Sequence, residues 1–395
     1  MDRTLARRLI LASAAIGSLG TFAMHAILPA LPGIRDHFDS TLSTTQLLVS
    51  LAFVAIAGGN IMVAPLSDRF GRRPVIVTGL LMFLVSSLLG AFAPNIGVLI
   101  AARIVQAFGS GAAMAVARAS LMDFFGPERA ATGIAYTATA ILVVPMLAPT
   151  VGGLAVEWEG WRAVFVLCAL LGLAVLAFTL LRIEETQVGS VRTSLDSLQS
   201  YRQLLATREF RGYALFGSVM FASVSTFIAG APHVAIDVVG MTPSSYGLFF
   251  ILPAAASFTG FFTSARVARR RGAHNMMRHG IALAVAGGAL LVVVAFVGEH
   301  HPLALFVPGA LVCMANAIAA PSSTSSAIAV RPDIAGAASG LMGFLQLSVA
   351  AVAVQVVALF ANKTAYPLVL TIFFLNLTAA VLLSRVRSMV LTNAS

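Results

Sequence analysis

Long apolar stretches alternate with short polar connections along the whole 395-residue chain. Each stretch has about eighteen residues or more, enough for an α-helix to cross a hydrocarbon core of roughly 30 Å. The pattern predicts an all-α membrane protein with twelve transmembrane helices. In the first half the predicted spans are 9–31, 43–64, 75–93, 97–120, 132–155 and 162–182. In the second half they are 212–234, 244–266, 279–298, 303–326, 336–360 and 366–385.

Residues 183–211 form the longest polar stretch and separate the two predicted halves. They favour a cytoplasmic linker that is partly an amphipathic helix on the membrane surface. Six spans, a linker and six spans indicate an internal duplication, which is frequent in transporters that rock two bundles about a site at mid-membrane. We therefore predict two pseudo-symmetric six-helix bundles, 1–182 and 212–395.

The charged residues agree with a membrane location. Only 10% of residues are charged and 59% are hydrophobic, whereas a soluble domain carries roughly 25% charged residues. Most of the 25 Lys and Arg residues lie in the amino terminus, the even-numbered connections and the carboxyl terminus; the exceptions are Arg35, Arg162, Lys363, Arg103 and Arg118. This asymmetry predicts that both termini are cytoplasmic. We attribute the net charge of +10 to the lipid bilayer as partner, with no nucleic acid bound.

The connection between spans two and three has the sequence APLSDRFGRRP. Gly71 permits a tight turn, and Asp68 at a helix end can pair with Arg72 or with another helix. Such a lock would hold the two bundles together on the cytoplasmic side in one state; the alternative is that these residues are only membrane anchors. Asp123, just after span four, is either a further member of the lock or an ordinary helix cap. The candidate gating residues are Asp68, Arg69, Gly71, Arg72, Arg73 and Asp123.

Spans four and five carry two further motifs. RIVQAFGSG places Arg103 and Gln106 inside span four. An Arg at that depth costs at least about 2.5 kcal/mol, so it should face a cavity or a partner. Arg103 is either a coupling or substrate residue or a structural hydrogen-bond hub. In span five, PMLAPTVGG combines prolines that bend a helix with glycines that allow close packing; its candidate residues are Pro145, Pro149, Gly152 and Gly153.

Together these motifs resemble the major facilitator superfamily, with Ala64 where the family usually has Gly. The span-five sequence resembles the signature of its drug-efflux antiporters, with Ala148 in place of the usual Gly. The end of span one, AILPALP, looks most like the Bcr/CflA drug-resistance branch. The resemblance implies a monomeric exporter in the bacterial inner membrane that moves a small-molecule substrate in exchange for protons.

The chain departs from that branch at His25, where its members commonly have Asp. No Asp or Glu lies in the middle of a predicted span. His25 is therefore the candidate proton carrier, because an unperturbed histidine titrates at a pKa of about 6.5; the alternative is an ordinary hydrogen-bonding residue. His233 is a weaker candidate. The polar residues predicted to line the cavity with His25 and Arg103 are Gln46, Gln106, Tyr136, Asn316 and Gln346.

Other classes of function are weakly indicated. The sequence lacks a nucleophile paired with a base and a phosphate-binding loop, so we expect no enzyme, and we expect no cofactor or metal. Cys168 and Cys313 both fall in apolar spans and indicate no disulfide. A dedicated exporter of a sugar, amino acid or siderophore is an alternative, as is a non-transporting membrane sensor. The lack of a membrane carboxylate favours hydrophobic or zwitterionic cargo over cationic cargo.

Overall fold

The structure, a computed structural model, describes residues 3–183, 185, 194–298, 301–361 and 364–392, with side chains except at 3–6, 64–65, 126–136, 138–139, 194–198 and 387–392. The first helices are α1 Arg3–Ala26, α2 Leu31–His37, α3 Leu42–Phe70, α4 Arg72–Ala91, α5 Ile96–Glu159, α6 Arg162–Arg182 and α7 Ser194–Ala206. The remaining helices are α8 Arg208–Pro232, α9 Pro243–Phe249, α10 Ile251–Arg271, α11 Ala273–Val297, α12 Pro302–Ala329, α13 Ala335–Phe360 and α14 Tyr366–Thr392.

In the described part of the chain, twelve segments are long and apolar enough to cross a membrane, which confirms the predicted number. In the first half they are Arg7–His37, Leu42–Val63, Arg72–Ala91, Ile96–Phe125, Ala140–Glu159 and Arg162–Arg182. In the second half they are Arg208–Val238, Pro243–Arg271, Ala273–Val297, Pro302–Ala329, Pro332–Phe360 and Tyr366–Val386. We number these segments as spans one to twelve.

Span one continues to His37, beyond the predicted end at residue 31. Two prolines divide its carboxyl-terminal part: α1 stops at Ala26, a 3-10 turn covers Leu28–Ala30, and α2 follows. Pro29 and Pro32 each occupy an early position of the turn or helix they belong to. At such positions the backbone N–H would have no helical partner, so proline removes no hydrogen bond there.

Spans four and five run in opposite directions although backbone hydrogen bonding is helical throughout α5. Their order of contact with span one shows this. Ser13 pairs with Ala117 and Ala23 with Arg103, in antiparallel order, whereas Gly17 lies against Ile141 and Ala26 against Gly152, in parallel order. The chain therefore reverses direction between residues 117 and 141.

The chain divides into two compact units, Met1–Ser194 and Leu195–Ser395, with six spans in each. Corresponding turns repeat in the two units. Gly71 ends α3 with φ +97° and ψ 155°, and Gly272 ends α10 with φ +80° and ψ 154°. Only glycine adopts this backbone conformation readily. The same turn geometry after spans two and eight indicates duplicated bundles.

Helix packing repeats as well. Span three packs closely on span four, and span nine on span ten. A Cβ atom added to Gly79 would lie 2.7 Å from the carbonyl oxygen of Gly109, and one added to Gly280 would lie 2.8 Å from that of Ala315. Small residues at these places let the helix backbones approach, which is a main source of association between helices in a bilayer.

Helix α7 was predicted to lie on the membrane surface, and the structure packs part of it against the carboxyl-terminal unit. Leu204 is fully buried in a cluster with Phe210, Ala338 and Met342. The apolar face of an amphipathic helix is thus covered by protein along this part of the linker. Of the linker residues before α7, those at 184 and 186–193 lie outside the described part of the chain.

Candidate functional site

A charged cluster joins three spans of the amino-terminal unit at one end. Arg72 Nη1 lies 2.7 Å from Asp68 Oδ1, and Arg72 Nε lies 2.8 Å from Asp123 Oδ2. The Arg72 side chain is 13% exposed, that of Asp68 21% and that of Asp123 31%. Arg72 Nη1 also donates to Ser67 Oγ. The structure therefore brings together Asp68, Arg72 and Asp123, as the sequence predicted.

The helix ends explain why this cluster is strained electrostatically. Asp68 lies in the last turn of α3 and Arg72 begins α4, with Gly71 turning the chain between them. The helix macrodipole disfavours an acid at a carboxyl terminus and a base at an amino terminus. Each charge thus sits at the helix end that disfavours it, and the pairing of Arg72 with two carboxylates offsets this. A conformational change that separates Arg72 from the two carboxylates would free the end of α3 and the start of α4 from this pairing.

Glu185, at the start of the linker, is a member of this region that the sequence analysis missed. Its carboxylate accepts hydrogen bonds from the backbone N–H of Arg72 at 2.9 Å and of Arg73 at 3.1 Å. It caps the amino terminus of α4, where the dipole favours a negative charge. A Cβ on Gly71 would lie 2.6 Å from Glu185 Oε2, so Gly71 also leaves room for the cap. The available signal in the sequence was that Gly71, the residue before α4, has no side chain with which to cap the helix.

The other two basic residues of the turn have different surroundings. The guanidinium of Arg73 donates to the carbonyl of Leu180 in span six at 2.9 Å. The exposed Arg69 lies over the ring of Phe70, 5.2 Å from its centroid. Arg73 therefore ties span three to span six, while Arg69 lies at the surface of the described unit.

Arg103 forms a buried polar network at the centre of the amino-terminal unit. The residue is 3% exposed. Its Nη2 donates to the carbonyl of Ala23 at 3.0 Å, its Nε to that of Leu48 at 3.3 Å, and its Nη1 to Gln106 Oε1. Gln106 Nε2 in turn donates to Ser87 Oγ at 2.7 Å. The network connects spans one, two, three and four.

All the hydrogen-bond acceptors of Arg103 are neutral. Two are backbone carbonyls from other spans, one is an amide on its own helix, and the fourth is the thioether sulfur of Met24, 3.5 Å from Nη2. Such geometry is that of a structural hub, because the five N–H donors of a guanidinium can hold several carbonyls at once. It matches the second of the two roles that the sequence left open for Arg103.

His25 lies in the last turn of α1, the long helix of span one. Its Nδ1 lies 2.8 Å from the carbonyl oxygen of Thr21. A carbonyl only accepts, so Nδ1 carries the proton and Nε2 is the basic atom of the neutral ring. His25 is two residues from Ala23, an acceptor of Arg103. The second histidine candidate, His233, pairs with Asp237 at 2.7 Å in a π-helical turn that ends span seven.

The remaining predicted residues are described within the unit to which each belongs. Gln46 is buried in span two, and the side chain of Tyr136 lies outside the described residues. Asn316 and Gln346 line a cavity in the carboxyl-terminal unit. In span five, Gly152 packs against the backbone of Ala26. The other span-five candidates are Pro145, Pro149 and Gly153, all within α5.

Comparison with known proteins assigns these features to a family. The sequence model of the Major Facilitator Superfamily matches residues 11–354. The chain belongs to the major facilitator superfamily. Among solved structures, this major facilitator resembles a bacterial homologue of the lysosomal transporter Spinster, with a TM-score of 0.78 at 15% identity over 98% of both chains. It also resembles the xylose transporter of Escherichia coli, with a TM-score of 0.75 at 14% identity over 97% of this chain and 98% of that one.

Several curated relatives are named for drug resistance. A bicyclomycin resistance protein homologue of Haemophilus influenzae is 25% identical over 92% of this chain and 92% of its own. Multidrug resistance protein D of Escherichia coli is 28% identical over 88% of this chain and 87% of its own. A chloramphenicol resistance protein of Pseudomonas aeruginosa is 29% identical over 92% of this chain and 86% of its own. These names agree with the branch that the motifs of spans one and five indicate.

The Arg103 hub generates the first prediction. Arg103→Lys keeps the charge but loses the planar fork of donors, so carbonyls of spans one and two lose their partner. Breaking a buried polar network of this kind is expected to lower the free energy of unfolding by about 3 kcal/mol. Thermal unfolding of the purified protein in detergent measures this, with Arg202→Lys in the exposed part of α7 as the matched control. An unchanged melting temperature for Arg103→Lys would contradict the hub assignment.

Proposed function

We propose that this protein is a secondary active transporter that exports small amphipathic molecules from the cytoplasm in exchange for protons. In this proposal it functions as a monomer in a bacterial inner membrane, with both termini cytoplasmic. The supporting observation is the alignment of drug-resistance relatives over 88–92% of the chain. The cytoplasmic side is assigned from the concentration of Arg in the turns after spans two and eight.

The charged cluster is proposed to act as a cytoplasmic gate. Asp68, Arg72 and Asp123 all belong to the amino-terminal unit, so their pairing holds the ends of spans two, three and four together as one body. Glu185 attaches the start of the linker to the same body. Alternating access requires bundles that move largely as rigid units around a fixed site. The cluster is proposed to keep this end rigid in one state and to rearrange in the other.

His25 is proposed to carry the exchanged proton. With Nδ1–H bonded to Thr21, the basic Nε2 of the neutral ring accepts a proton from the outer side. The resulting imidazolium lies near the Arg103 network, and two positive charges in an apolar environment raise the free energy of the closed, occupied state. Substrate release would therefore be favoured after protonation. Loss of the proton to the cytoplasm would return the site to its substrate-accepting form.

The gate generates the second prediction. Asp68→Asn removes one carboxylate from Arg72 and should lower the rate of transport about tenfold, which corresponds to 1.4 kcal/mol at 25 °C. Membrane insertion and substrate binding should stay largely intact. Flux of chloramphenicol into proteoliposomes under an imposed pH gradient measures the rate. Asp36→Asn, in an exposed pair with Arg35, is the matched control; wild-type flux through Asp68→Asn would contradict the gating role.

The proton step generates the third prediction. His25→Gln can still form hydrogen bonds but does not titrate near neutrality. It should retain counterflow exchange of chloramphenicol in the absence of a gradient and lose nearly all the acceleration that a pH gradient gives the wild-type protein. His279→Gln, an exposed histidine of α11, is the matched control.

The same vesicles test the function itself. A wild-type protein that neither exchanges nor accumulates chloramphenicol, bicyclomycin or the dyes used in multidrug assays would overturn the proposed export. A His25→Gln variant that still concentrates chloramphenicol in response to a pH gradient would instead leave export intact and remove His25 from the coupling step.

A further inference from the structure

A histidine and an arginine meet where the last segment of span one reaches span six. Arg162 Nη2 lies 3.2 Å from His37 Nε2. A guanidinium only donates hydrogen bonds, so Nε2 of the histidine accepts and carries no proton. The imidazole is therefore neutral, with its proton on Nδ1. The contact joins the last residue of α2 to the first residue of α6.

Aromatic rings hold the arginine in this position. The Arg162 guanidinium lies over the ring of Trp161, 4.3 Å from its centroid, in a cation–π contact. The centroid of the Trp161 ring also lies 5.4 Å from that of Phe38 and 5.5 Å from that of His37. Trp161 is 6% exposed, and its ring packs edge-on against the buried Phe165. Span six thus fixes the arginine, and span one supplies the histidine.

The other charged groups near His37 do not provide it with a carboxylate partner. Within α2, Arg35 and Asp36 pair with each other at 2.8 Å. The first turn of α3, which packs on α2, is uncharged. The remaining charged residues on the neighbouring segments are Asp39, Glu157 and Glu159. In the described part of the chain, no carboxylate lies within salt-bridge distance of His37. A charged His37 would therefore face the guanidinium without a compensating acid.

The segment that carries His37 is a separate helical piece. A 3-10 turn at Leu28–Ala30 interrupts span one between α1 and α2. Pro29 and Pro32 supply no backbone N–H across this interruption, so α2 can shift without breaking the hydrogen bonds of α1. Ile34 is fully buried and anchors α2 by apolar packing. The hydrogen bond of His37 adds a polar tie to this packing.

We propose that His37 is a proton-binding site that controls how firmly the end of span one is attached to span six. A proton on Nε2 removes the acceptor for Arg162 and places two cations side by side. Binding of the proton therefore favours a state in which the two side chains have separated and α2 is released from span six. The tie is closed while His37 is neutral and open once it is charged.

The other unit has a histidine with the opposite response. Span seven, the first span of that unit, is also interrupted near its end, where a π-helical turn follows Pro232. There His233 Nδ1 lies 2.7 Å from Asp237 Oδ2. A positive charge on His233 strengthens its pairing with a carboxylate, whereas a positive charge on His37 breaks its pairing with a guanidinium. In the orientation given under the proposed function both segments face the outside, so external acid would loosen one and tighten the other.

Tryptophan fluorescence tests the site directly, because Trp161 is one of two tryptophans in the chain. Trp158→Phe removes the other, which is 85% exposed. The variant is placed in lipid nanodiscs, and quenching of Trp161 by acrylamide is measured across the range in which histidine changes charge. The quenching constant should be low at pH 8 and several-fold higher at pH 5, because separation of the side chains uncovers the ring.

Two substitutions at His37, made in the same Trp158→Phe background, should fix the two states. In His37→Gln the amide oxygen still accepts from Arg162 and does not titrate, so quenching should stay low at both pH values. In His37→Lys the ammonium is charged throughout this range, so quenching should be high at both. His301→Gln, at an exposed histidine that precedes α12 in the other unit, is the matched control and should keep the full pH response.

The outcomes separate this site from the proposed function. Trp161 quenching that is the same at pH 5 and pH 8 would overturn the assignment. An undiminished pH response in His37→Gln would overturn it as well. None of these measurements involves transport, so a protein that exports no drug but shows the expected quenching would keep the His37 site and lose only the proposed export.

Discussion

A permanently charged guanidinium inside an apolar bundle must have its donors satisfied, and the amino-terminal unit is organised around that requirement. Arg103 is almost completely buried, and its acceptors come from spans one and two and from Gln106. An unpaired cation at this depth would be far more costly than the loss of any single apolar contact. Spans one and two are thereby held within hydrogen-bond distance of Arg103, and span three within hydrogen-bond distance of its neighbour Gln106. The proposed proton carrier, His25, lies two residues along span one from Ala23, an acceptor of this fixed charge.

The sequence predicted the features that depend on local pattern. The twelve spans follow from hydropathy. The nearness of Asp68 to Arg72 follows from their separation of four residues across a glycine turn. The buried state of Arg103 also follows, since a charge at that depth needs partners. What remained unpredicted depends on contacts between segments far apart in sequence. Glu185 caps a helix 113 residues before it, and Leu204 buries itself against span eleven. Neither contact leaves a periodic signal, and the identity of Arg103's carbonyl acceptors leaves none because every residue has a carbonyl.

The two units differ in how their polar interior is used. In the amino-terminal unit the central Arg, Gln and Ser side chains bond to one another and to backbone, so the network is satisfied and rigid. In the described part of the carboxyl-terminal unit, several buried hydroxyl and amide oxygen atoms have no hydrogen-bond partner. The duplicated bundles thus share a framework of close glycine contacts, while their described interiors differ in how fully the buried polar atoms are paired.

Exchange of one proton for an uncharged substrate such as chloramphenicol, as proposed for this protein, would make transport electrogenic. The most direct test uses proteoliposomes at equal pH inside and outside, with a potential of 100 mV, inside positive, set by valinomycin and a K⁺ gradient. One proton leaving for each chloramphenicol entering moves one charge, and that charge is driven by about 2.3 kcal/mol. We expect chloramphenicol to accumulate by up to about fiftyfold. A chloramphenicol flux that is active under a pH gradient but indifferent to the potential would contradict it.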